Sequence, residues 1–114
     1  MTLVQLEENI LGALAELREA RRKLEPLAQD WALADQAYRR AQSIAYAKSS
    51  GTIPERKAFV DDQCNQEMYA AHSLEAIREA AKENVRALQT EVSAYQTLAS
   101  LLKSEMQLEG RYEP

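Results

Sequence analysis

Between positions 38 and 57 the chain sets cations beside aromatic rings: Tyr38, Arg39, Arg40, Tyr46, Lys48, Arg56 and Lys57. Cations of this kind pair with phosphates, and rings stack on unpaired bases. The plainer reading is a solvated helix face, with Tyr38 turned inward. The charge distribution gives the stretch its interest. Residues 36 to 60 carry a net +4, whereas the whole chain carries −4, so the remainder must carry −8. A basic elbow on an acidic body is a device that function can use. The expected nucleic-acid contacts are Arg39, Arg40, Tyr46, Lys48, Arg56 and Lys57.

Other chemistry is thin. Arg18, Arg21, Arg22 and Lys23 stand among Glu16, Glu19 and Glu25, which should offset them through helix-spaced pairs. Cys64, Met68 and His72 share one helix face at spacings of four and could hold a soft metal ion. The same spacing is that of a small packing stripe, the commoner use of Met and free Cys. The chain has one His, so the Glu-x-x-His repeats of di-iron bundles are missing. Its three glycines are isolated, so no phosphate-cradling loop is encoded. Cys64 and His72, eight residues apart on a helix, are too distant to act as nucleophile and base. No catalytic residue, metal or cofactor is expected.

The elements that must position these residues are helical. The chain has 114 residues, with only three Gly, three Pro and 19 Ala. Such a composition favours helices and argues against sandwich, α/β and disulfide-scaffold classes. No stretch approaches a membrane span. The N-terminus lacks the pattern of a signal peptide, and a single Cys fits a reducing compartment. The expected location is the cytoplasm, with no membrane association.

Thr2 and Gln5 form a capping box that opens helix 1, expected over about residues 2–48. Leu3, Leu6, Ile10, Ala13, Leu17, Ala20, Leu24, Leu27, Trp31, Ala34, Tyr38, Ala41 and Ala45 then step by three and four without a slip. This is the seam of a left-handed coiled coil. It passes Pro26 in phase, which predicts a kink there, with a full break as the alternative. The elbow spans 49–54: Gly51 suits a positive φ, and Thr52, Pro54 and Glu55 start helix 2. Helix 2 is expected over about 53–109, with a tail at 110–114. Its seam reads Leu74, Ile77, Ala81, Val85, Leu88, Val92, Tyr95, Ala99, Leu102 and Met106, with a stutter at Ala81–Val85.

The expected fold is therefore all-α: one domain, a long antiparallel helical hairpin with a kinked first helix, coiled-coil-like. Leu17, Leu24, Trp31, Tyr38, Ile77, Leu88, Val92, Tyr95 and Leu102 mark its core or oligomer seam. Leu11, Leu14, Leu98, Leu101 and Leu108 are left over, which predicts a homo-oligomer.

Around the elbow the sequence resembles a family. Tyr46, Lys48 and Gly51, then Glu55-Arg56-Lys57 and Val60-Asp61 opening a helix, then Leu101-Leu102-Lys103 and Glu109-Gly110, are similar to the UvsY-type recombination mediators of tailed phages. The resemblance covers roughly residues 38–110. It implies a small helical protein that forms oligomers, binds single-stranded DNA and helps a RecA-like recombinase displace single-strand-binding protein. It points to Tyr46, Lys48, Arg56 and Lys57 as DNA contacts; Arg39 and Arg40 come from charge alone. The chain is more acidic than that family, with a pI near 5.1. The competing expectation is a coiled-coil assembly or inhibitor protein that docks on another protein and binds no nucleic acid.

Overall fold

A computed structural model describes residues 1–112, and they are helical almost throughout. Three helices follow in order: α1 (Leu3–Lys48), α2 (Ile53–Gln63) and α3 (Asn65–Tyr112). No strand occurs among the described residues.

The start of α1 is capped as its sequence dictates. The Thr2 N–H donates to Gln5 Oε1 at 2.9 Å, and the Gln5 N–H donates to Thr2 Oγ1 at 3.2 Å. Two of the free amides of the first turn are thereby satisfied. Pro26 lies inside α1, which is continuous through it, so the full break does not occur. Proline leaves the Arg22 carbonyl without its usual donor, a local cost that seam packing on both sides outweighs. Lys48 ends the helix, and Gly51 turns the chain with φ +100°, a value only glycine takes without strain. Thr52 then caps α2 by accepting the Glu55 N–H, and Pro54 sits in the first turn, where no donor is needed.

The expected single helix 2 is two helices. Cys64 lies between them with φ −104° and ψ 13°, away from helical values. Its N–H still reaches the Val60 carbonyl and its carbonyl still accepts from Met68, both at 2.9 Å. The interruption is one residue wide. Asp61, Asp62, Cys64 and Asn65 are all weak helix formers, and this is where the ladder gives way. A second difference lies at the far end. Gly110 does not stop α3, which continues to Tyr112, so the expected tail shrinks; Glu113 and Pro114 lie outside the described residues.

Contacts divide the chain into two units. One holds Met1–Arg22 and α3 from Lys82 onward. Its core is Leu6, Ala13 and Leu17 from α1 with Val85, Leu88, Val92 and Ala99 from α3. The Glu91 charge, burial, a hydrogen bond to Glu91 and the Glu16 charge together push the Tyr95 hydroxyl above its ordinary pKa. The other unit is Lys23–Ala81. It buries Ala45, Val60, Cys64 and Ala71, with Tyr38 and Ala41 packed on the first three. Within this unit Tyr46 meets Arg56, Tyr38 meets His72 and Trp31 meets Arg78. Falling numbers on α1 meet rising numbers on α2 and α3, so the packing there is antiparallel.

Every expected α1 seam residue is buried or half-buried. Leu14, expected to be left over, is half-buried too. On α3 two seam assignments fail: Ile77 is 51% exposed and Met106 57%. The inward position is Arg78, whose guanidinium lies 5.1 Å from the centre of the Trp31 ring. With Arg78 in place the inward positions run Ala71, Leu74, Arg78, Ala81, Val85, Leu88 and Val92, alternating by three and four. The expected stutter therefore vanishes; a cation occupies the heptad position that an apolar residue was expected to fill.

Candidate nucleic-acid interface

The elbow is built by α1 arriving, Gly51 reversing the chain and α2 leaving. Ala45, Val60 and Cys64 form its small core. Packing of Ala45 against Val60 brings the flanking side chains together. The Arg56 guanidinium lies 5.5 Å from the centre of the Tyr46 ring, and its Nη1 donates to the Tyr46 hydroxyl at 3.5 Å. Its Nε is shielded from solvent and has no acceptor. Tyr46 is otherwise open, 57% exposed.

The other expected contacts fall into two groups. Arg40, Lys48 and Lys57 are exposed, and among the described residues no carboxylate pairs with them. Arg39 is also exposed, but its Nε pairs with Asp35 at 3.0 Å. Asp35 stands one residue outside the basic stretch, one helix turn from Arg39, so its i, i+4 spacing was the signal for this pairing. Tyr38 is half-buried; its hydroxyl accepts from Gln42 Nε2 at 3.0 Å and its ring meets His72 edge-on at 6.1 Å. It belongs to the packing. The elbow thus joins Tyr46 to Arg56 directly, leaves Arg40, Lys48 and Lys57 uncompensated, and pairs Arg39 with Asp35.

In the earlier basic cluster Arg22 pairs with Glu19 at 3.3 Å, three residues away. Cys64 is 2% exposed, and burial, then the Glu67 and Asp61 charges, push its thiol above the ordinary range. A thiol held protonated is a poor soft ligand. His72, on the same face, is exposed and turned to Tyr38. Among the described residues no three His, Cys, Asp or Glu side chains converge on a metal position, and no helix is long and apolar enough to cross a membrane.

Comparison with known proteins gives no match: no family model, no curated protein and no solved structure aligns significantly with the chain.

Proposed function

We propose that this chain is a non-enzymatic accessory protein that binds single-stranded DNA at its elbow and supports recombinase loading. The observation that carries the reading is the Tyr46–Arg56 pair flanked by the uncompensated cations Arg40, Lys48 and Lys57. Phosphates dock on the cations. Because the Arg56 guanidinium contacts the Tyr46 ring, a base stacks on what that ring leaves open or on the guanidinium itself. The resemblance to phage recombination mediators supplies the step served, with a RecA-like recombinase or a single-strand-binding protein as partner. In this reading α1 lies against α2 and α3 as one long antiparallel hairpin, and several copies assemble. Assembly multiplies the +4 elbow, which a single acidic chain needs if it is to hold DNA.

Arg56→Glu with Lys57→Glu should abolish binding of a labelled oligo-dT in fluorescence anisotropy, with the circular dichroism spectrum unchanged. Retained binding would place the DNA elsewhere.

One observation favours a second reading, an assembly or docking protein without nucleic acid. Leu98, Leu101 and Leu108 form an exposed apolar line on α3. That protein would ignore oligo-dT at every salt concentration.

A further inference from the structure

The unit Lys23–Ala81 carries a groove beside the elbow that shares only Lys48 with the DNA reading. Ala41, Ala45 and Cys64 floor it, Ile44 and Phe59 line its sides, and the polar Lys48 and Gln63 complete it. Its volume is about 200 Å³, below the ~300–1,000 Å³ of small-molecule pockets. A largely apolar slot of that size suits one or two projecting side chains, as a hole suits a knob in helix packing.

The same chain carries matching knobs. Leu98, Leu101, Glu105 and Leu108 step by three and four, and so share one face of α3 beside its buried seam. Leu101 and Leu108 are 57% and 50% exposed, two turns or about 10 Å apart. Glu105 sits between them and Glu109 follows; Lys103, two residues past Leu101, points away from this face.

We infer that the groove between α1 and α2 receives the Leu101–Leu108 face of α3 from a second copy of this chain. Charge selects this occupant. The groove's rim cation, Lys48, belongs to the +4 segment, and the incoming face carries a carboxylate, Glu105, between its two leucines. A groove on one copy and a helix face on the next make a heterologous contact, which propagates head to tail and ends only by closing on itself. Tyr46, Arg56, Arg40 and Lys57 are not among the groove's lining residues, so these four DNA contacts stay open, while Lys48 is shared with the junction. The inference rests on the self-association proposed above and adds which two faces meet.

Complementation of broken copies tests it. The full chain is made with Ile44→Glu, which blocks the groove, and separately with Leu101→Glu and Leu108→Glu, which blunts the face. Light scattering should give an oligomer for the unmodified chain, a monomer for each variant alone and a heterodimer for the equimolar mixture, in which one intact junction remains. A mixture that stays monomeric, or a variant that keeps the unmodified mass, overturns the pairing while self-association stands. An unmodified chain that is monomeric at every concentration overturns both. A charge exchange guards against unfolding by the apolar substitutions. Lys48→Glu or Glu105→Lys alone should weaken association about tenfold or more, and the two together should restore it. Failure of the restoration overturns the pairing.

Discussion

Arg78 shows how one side chain can hide a regular pattern. It fills a heptad position on α3 and lays its guanidinium over Trp31, so the neighbouring Ile77, the residue an apolar scan selects, points outward. A polar group in a helical seam fixes register at some cost in stability. Arg78→Leu should therefore raise the thermal midpoint, by about 1 kcal/mol of added apolar burial. It should also change the emission of Trp31, the chain's one tryptophan. A lowered midpoint would mean that the cation–ring contact outweighs the burial. Cys64 gives a second prediction. Its thiol is raised by burial and by Glu67 and Asp61, and Tyr95 is raised mainly by Glu91. Both groups are neutral when protonated, and the unfolded chain ionises first. Their contribution is complete below the unfolded pKa values and is lost as pH climbs through the folded ones. Stability in urea titrations should fall as pH rises above about 8.5, and Cys64→Ala should remove the earlier part of that fall. A flat profile from pH 8 to 11 would contradict the assignment.

At the scale of elements, glycines separate helix interior from turn. Gly12 lies in the middle of α1 with open space where a Cβ would stand, whereas Gly51 holds φ +100° and a Cβ there would meet the Glu55 carboxylate. Gly12→Ala should stabilise by about 0.5–1 kcal/mol, and Gly51→Ala should destabilise by about 1–2 kcal/mol. Chemical denaturation of the two variants checks the opposite signs. Much of this level was legible in the sequence. The capping box at Thr2, the turn at Gly51, the cap at Thr52 and all thirteen α1 seam positions stand where spacing put them. The interruption at Cys64 was not read, because hydrophobic periodicity says little across a polar stretch; the weak helix formers Asp61, Asp62 and Asn65 were the available signal. The stop at Gly110 was over-read, since an isolated glycine can continue a helix when nothing forces a positive φ.

For the whole molecule, charge placement and apolar placement pull toward different partners. Net positive charge collects at the elbow, and exposed leucines line α3. The elbow's cations were visible in the sequence, but which stay uncompensated was not. That depended on Asp35 reaching Arg39 and on Arg56 settling over Tyr46. Binding of single-stranded DNA at the elbow, as proposed, runs through phosphates. Light scattering on the purified chain with labelled oligo-dT, at about 50 and about 300 mM salt, tests it most directly, since each phosphate contact adds roughly −0.7 to the log–log salt slope. A phosphate-binding elbow should give an oligomer that takes up the oligonucleotide at the lower salt and releases it at the higher. An oligomer that ignores DNA at both would contradict it.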